Sequence, residues 1–318
     1  MSVRQRLEYA ALRGLTALAA GLSHVFSLRA LVEAAAWLGQ GYARLAGPRV
    51  DVARLNLAIA FPDWEESERE DVLVESFANG ARSIAELLLL QGPYREELLA
   101  RVQIDGDAEL RRALESSPSG SVIALTAHFG SWELCGAGGV KLGFPLCVVH
   151  RSFDNPLVEA QVKTWRESAG LDVVALGVAG LAVLRALRRG RVVVMLADQD
   201  APKSEGVFAD FFSRAASTRA GPALVAMTTK TPVLPIFAFR QRDAGAGPHH
   251  VLRVGSPIAM EPADEDDEAA LRRNVARMNA AIEQAIRLAP DQWMWGHRRW
   301  RTQPDGAPRT YPSRHGRD

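Results

Sequence analysis

The stretch Ser121–Glu133 reads S-V-I-A-L-T-A-H-F-G-S-W-E, with four residues between two titratable side chains, His128 and Glu133. An imidazole that titrates near neutrality can take a proton from a hydroxyl, and a neighbouring carboxylate can fix its tautomer and stabilise the imidazolium that forms. The chemistry suggested is attack by a hydroxyl that must lose its proton, with His128 as base and Glu133 as its orienter. One continuous helix cannot join them, because helical neighbours lie at i+3 and i+4. The chain must turn, leaving His128 at a strand exit and Glu133 in the first turn of the next helix. Gly130 permits that turn, and Ser131 is an acceptable N-cap. Backbone N–H groups around Gly130 and Ser131 offer a site for a developing oxyanion, and the positive end of the helix favours neutral His128. A capped helix after a buried strand, with His128 merely hydrogen-bonded, fits the same spacing.

Other polar residues also stand at the ends of apolar runs, where α/β sheets place their chemistry. Arg151 follows Pro145–Val149; its guanidinium suits bidentate phosphate binding, or a pair with Asp154. Asp198 and Asp200 follow Arg191–Leu196, where a carboxylate can orient His128, neutralise Arg151, contact substrate or cap a turn. Arg166, in a helix before Gly170, reads as a surface residue. Cys135 and Cys147 are the only two cysteines, too few for a disulfide framework, and both read as buried thiols in a reducing compartment rather than as nucleophiles. There is no C-x-x-C or H-E-x-x-H, so no metal is expected, and no other cofactor is implied. The missing G-x-S-x-G leaves an α/β-hydrolase without support.

Alternating elements position these groups. Residues 64–91 form an amphipathic helix. Strands are expected at Ser121–Thr126, Pro145–Val149, Asp172–Leu176, Arg191–Leu196, Val233–Phe239 and His250–Val254. Helices are expected at Leu181–Leu187, Ala220–Thr229 and Glu268–Leu288, the last with a buried face of Leu271, Val275, Met278, Ile282 and Ile286. The only loose stretch is a Gly/Ala turn at Ala244–Pro248. The pattern predicts an α/β fold with a central, mostly parallel sheet flanked by helices.

Hydrophobic residues make up 47% of the 318-residue chain, which excludes a disordered or multi-spanning protein. A net charge of +1 argues against nucleic acid. The ends are basic: residues 1–50 and 297–318 each hold six arginines against two carboxylates, a net +4 apiece. Such ends suit an anionic membrane surface, or are solvated tails. Gly14–Leu28 is charge-free but too short and too broken by His24 and small residues for a transmembrane helix. It reads as a helix lying in the membrane interface. Trp293, Trp295 and Trp300 with Arg298, Arg299 and Arg301 read as an interfacial belt facing the same bilayer. Phe208, Phe211 and Phe212 suit an acyl-chain slot or the core.

Several blocks together resemble a known family. T-A-H-F-G-S-W-E at 126–133, the Arg151…Asp154-Asn155-Pro156 block, Asp198-Gln199-Asp200 followed by Gly206-Val207-Phe208 and Phe211-Phe212, and Pro290–Trp300 are similar, in order and spacing, to blocks of the bacterial lipid A biosynthesis lauroyl/myristoyl acyltransferases. Leu55-Asn56-Leu57 with Ala60-Phe61-Pro62 resembles an upstream family segment, so the likeness runs from about residue 50 to about residue 306. It implies a lysophospholipid-acyltransferase-like (glycerolipid-acyltransferase-like) core over residues 101–306, preceded by a helical membrane-associating region at 1–100 and followed by a basic tail at 307–318. It also implies His128 and Glu133 as catalytic and Arg151, Asp198, Asp200, Gly130 and Ser131 as substrate-binding. The expected reaction moves a fatty acyl group from acyl carrier protein to a hydroxyl of a lipid A precursor at the cytoplasmic face of an inner membrane. Another glycolipid or a lysophospholipid as acceptor, and a degenerate lipid-binding protein, are the alternatives.

Overall fold

The computed structural model describes residues 2–175, 179–241, 249–262 and 267–312. The chain opens with helices α1 (Val3–Leu22), α2 (Leu28–Ala43), α3 (Pro48–Ala60), α4 (Glu66–Leu89) and the short α5 (Arg95–Ala100), followed by β1 (Val102–Asp105) and α6 (Asp107–Ser116). Strict alternation follows: β2 (Val122–Thr126), α7 (Trp132–Lys141), β3 (Leu146–His150), α8 (Pro156–Ser168), β4 (Asp172–Ala175), α9 (Ala179–Arg188) and β5 (Val192–Leu196). A hairpin, β6 (Gly206–Phe211) and β7 (Arg214–Arg219), leads through α10 (Gly221–Thr229) to β8 (Val233–Gln241), β9 (His249–Val254) and α11 (Asp267–Leu288).

Seven strands form one sheet in the order β1-β9-β8-β2-β5-β3-β4, and every pair is parallel except β8–β9. The central strand β2 is buried along its whole length, as a parallel strand covered by helices must be. The chain leaves β2 toward β3 and returns through β5, then crosses to β8 on the other side of β2. The carboxyl end of β2 is therefore a point where connections diverge, and such points form ligand crevices in open α/β sheets.

The mostly parallel sheet and most of its strands follow the sequence expectation. Three features depart from it. The four-residue β1 is too short to signal a strand, and β7 (R-A-A-S-T-R) carries too few β-formers. Strands β8 and β9 are antiparallel because the seven residues between them are too few for a crossover helix. Leu176, the Ala244–Pro248 turn and residues 313–318 of the basic tail lie outside the described residues.

The core explains the C-terminal aromatics. Trp293, Trp295 and Trp300 are buried against Phe211, Phe212 and the face of α11 formed by Val275, Met278, Ile282 and Ile286. Arg299 is also fully buried and donates to the Ser217 carbonyl (2.7 Å) and Thr218 Oγ1 (2.6 Å). This corrects the interfacial reading for the three tryptophans and Arg299, which brace the interior instead, while Arg298 is half-buried and Arg301 exposed. Amphipathic rings and cations give the same sequence pattern in either place; here buried hydrogen-bond acceptors claim the guanidinium. Asn56 of α3 ties this block down, donating to the Trp295 and His297 carbonyls (both 2.7 Å). Phe211 and Phe212 likewise belong to the core.

At the N-terminus the charge-free run is split by a turn between α1 and α2. No helix among the described residues is long and apolar enough to cross a membrane. Both helices and the turn between them nonetheless expose large apolar side chains, among them Leu7, Leu15, Leu18, Phe26, Trp37 and Leu38.

Candidate active site

Strand register brings the central pair together. Thr126 of β2 lies opposite Leu196 of the adjacent parallel β5, so His128 and Asp198, each two residues further on, emerge level with one another. Asp198 Oδ1 is 2.9 Å from His128 Nδ1, and Oδ2 accepts from the His128 amide (3.0 Å) and from Trp293 Nε1 (2.8 Å). The His128 carbonyl accepts from the Met294 amide (3.1 Å), so the buried Trp block holds the histidine from behind.

Asp198 is buried, which by itself would raise its pKa; the His128 charge and three hydrogen bonds overcome this and hold it at about 2. Burial opposes the imidazolium of His128, yet the charge and hydrogen bond of Asp198 outweigh it and raise His128 above its ordinary value. A helix end was expected to keep His128 neutral, but the carboxylate decides the direction. With Asp198 on Nδ1, Nε2 faces the cavity, 3.4 Å from the Gln199 amide nitrogen.

The carboxylate on His128 is therefore Asp198 and not Glu133. Glu133, in the first turn of α7, forms a fork with Arg166 in the last turn of α8, where Arg166 Nε donates to Oε2 (3.1 Å) and its terminal amine to Oε1. This also corrects the surface reading of Arg166, whose side chain is only 11% exposed. The sequence places Glu133 in the first turn of α7, and from there it meets the last turn of α8 rather than His128 at the strand exit.

Gly130 has φ +56°, and a Cβ there would lie 1.7 Å from the Ala238 carbonyl oxygen, so only glycine fits this turn. Its amide donates to the Gln292 carbonyl (2.9 Å), which removes it from the expected oxyanion donors. Ser131 is buried and its hydroxyl makes no hydrogen bond among the described residues, to the helix start or otherwise. Arg151 is exposed at the cavity mouth, with no side-chain hydrogen bond or ion pair to Asp154 or any other described residue. The Asp200 carboxylate accepts from the Thr302 amide (3.0 Å) and hydroxyl (2.9 Å), while its own amide donates to His297 Nε2 (3.0 Å).

A cavity of about 780 Å³ opens at these groups. Its polar lining includes His128, Glu133, Arg166, Gln199 and His297, and its apolar lining comes from the sheet and from helices α7, α9 and α10. Gly138 and Gly139 let α7 approach the sheet; a Cβ on them would sit 2.6 Å from Val102 and 2.9 Å from Leu146. Cys135 also borders the cavity, but burial pushes its thiol far above the usual range, which keeps it a poor nucleophile. The arrangement can hold a hydrocarbon chain with its reactive end beside a base.

Sequence reasoning missed the position of Arg166 and the participation of His297 and Trp293. A His in the same block as three tryptophans was the available signal.

Residues 8–302 match the model of the bacterial lipid A biosynthesis acyltransferase family, and the chain belongs to that family. It is an acyltransferase. The chain is 27% identical to the lipid A biosynthesis lauroyltransferase of Escherichia coli K12 over 279 residues, covering 86% of each chain. It is also 27% identical to the palmitoleoyltransferase of the same organism over 286 residues, 86% of this chain and 87% of the relative. A phosphatidylinositol mannoside acyltransferase of Mycolicibacterium smegmatis is 28% identical over 205 residues, 63% of this chain and 66% of the relative.

Proposed function

We propose that the protein transfers a fatty acyl group from acyl carrier protein to a hydroxyl of a lipid A precursor, with His128 as general base. The observation that carries this reading is the His128–Asp198 hydrogen bond at the mouth of an apolar cavity. The neutral imidazole holds its proton on Nδ1, against Asp198, so Nε2 is free to accept one. The acceptor oxygen attacks the thioester carbonyl carbon while His128 takes its proton. The C–O bond forms and the carbonyl electron pair moves to oxygen. Collapse breaks the C–S bond, and the imidazolium returns its proton to the departing thiolate.

Asp198 is the orienting carboxylate in this scheme. Glu133 contributes to catalysis through Arg166, whose guanidinium it holds at the cavity wall. Arg151 meets a phosphate of the donor's prosthetic arm or of the acceptor, as a forked cation at the mouth can. Gly130 shapes the turn beneath the substrate, Ser131 borders it, and Asp200 supports the far side. One relative is named for a phosphatidylinositol mannoside, so a different glycolipid is the second reading of the acceptor. The deciding assay supplies acyl carrier protein thioester and detergent-dispersed acceptors. Acylation of a lipid A precursor above other glycolipids supports the assignment, and the reverse preference overturns it.

Attachment to the cytoplasmic face of the inner membrane, through the apolar faces of α1 and α2 flanked by arginines, fits the chemistry of the acceptor. Apolar burial contributes most of the binding, and each cation near an anionic surface adds about 1 kcal/mol. High salt or carbonate then releases part of the protein from membranes; full resistance to both contradicts an interfacial attachment.

A further inference from the structure

The site has a base but lacks the oxyanion donor expected at Gly130, whose amide is spent on Gln292. A second histidine supplies a donor of the right kind. His297 lines the same cavity as His128, and its Nε2 accepts the Asp200 N–H at 3.0 Å. A backbone amide can only donate, so Nε2 carries a lone pair and the ring proton sits on Nδ1. Nδ1 has no hydrogen-bond partner among the described residues. We propose that His297 is a catalytic residue that donates from Nδ1 to the oxyanion formed when the hydroxyl attacks the acyl thioester; the assignment rests on the transfer reaction above.

Three features support it. The ring is pre-positioned, since Thr302 clasps the Asp200 carboxylate while an isolated bridge ties Asp200 to Thr218. A donor fixed in advance costs no reorganisation as charge develops. Protonating Nε2 would also break the Asp200 contact. The charges facing the ring are Asp198 and His128 from the sheet edge, Arg299 from its own segment and Arg49 from α3; burial, joined by the three cations, outweighs Asp198 and lowers His297 to about 4. His297 thus stays neutral where His128 works, a donor beside a base rather than a second base. An uncommitted N–H on a ring that lines the cavity is a costly group to leave unpaired unless a ligand meets it.

The test uses the full-length protein with acyl carrier protein thioester and a detergent-dispersed lipid acceptor. His297→Ala is expected to lower kcat by about 10²- to 10³-fold with the thioester KM little changed. The acid limb of the pH profile, set by His128, stays in place. His297→Asn, whose amide nitrogen can stand near the Nδ1 position, recovers at least about tenfold of that loss, a rescue that a packing role would not produce. Activity of folded His297→Ala within about threefold of wild type overturns the proposal, as does equal loss in both variants accompanied by a raised KM. If His297→Ala does not fold, the Asn variant decides: retained kcat supports the donor and a full loss with an intact melting transition overturns it. His128→Ala runs alongside. If it stays active the base assignment fails; if it is inactive while His297→Ala is normal, only the oxyanion assignment fails.

Discussion

Two charge pairs line one cavity, and they differ in what stands behind them. His128–Asp198 joins the ends of adjacent sheet strands, with both Asp198 oxygens occupied and Trp293 locked on from the core. Glu133–Arg166 joins two helix termini, the negative group at the start of α7 and the positive one at the end of α8, each favoured there by the helix dipole. Asp198 is 2% exposed, against 18% for the Glu133 side chain. The strand pair acts directly on the imidazole. The helix pair acts on it with opposing charges, Glu133 raising and Arg166 lowering its affinity for a proton. Proximity in sequence favours Glu133 as the partner of His128, with Asp198 only one of several options, whereas register joins His128 to Asp198, seventy positions away.

That difference orders the expected losses. His128→Ala should abolish measurable transfer, a loss at the upper end of the roughly 10⁴-fold that acid–base assistance contributes. Asp198→Asn should cost about 10²- to 10⁴-fold in kcat, because an amide can present a donor to Nδ1 and stabilise the wrong tautomer. Near-normal turnover in either would remove the strand pair from the chemistry. Glu133→Gln should cost less, about tenfold to a hundredfold, through a displaced Arg166; a loss exceeding that of Asp198→Asn would reverse the ranking. Arg151→Lys should raise the donor or acceptor KM several-fold with kcat preserved, as one bidentate contact becomes a point charge. Unchanged KM in both Lys and Ala variants would leave Arg151 outside the binding site. Cys135→Ser should leave kcat within about twofold, since its buried thiol is far from its reactive form, and inactivity of a folded variant would return it to the list of nucleophiles.

The local half of this architecture was legible in the sequence. Apolar runs ending in Thr126 and Leu196 marked β2 and β5, and the strand–turn–helix at Gly130 placed His128 at the strand exit and Glu133 in the first turn of α7. Pairing between strands was not legible, because it depends on α9 returning β5 beside β2 after two intervening strands. Arg166 looked like a surface cation because a helix spacing does not say what the opposite helix presents. The Trp/Arg block misled for a related reason, since core bracing and interfacial anchoring use the same residues and differ only in the acceptors that surround Arg299.

The most direct test of the His128–Asp198 assignment is the pH dependence of kcat/KM in wild type, Asp198→Asn and Glu133→Gln. The base works only when neutral, and the carboxylate raises its pKa above 6.5, so wild-type activity should climb with pH along a limb whose midpoint lies above that value. In Asp198→Asn, burial acts without the opposing charge, and the midpoint should move to lower pH. Glu133→Gln should shift it less, because Glu133 is the weaker influence on the ring. A limb that stays in place in Asp198→Asn and moves in Glu133→Gln would contradict the account.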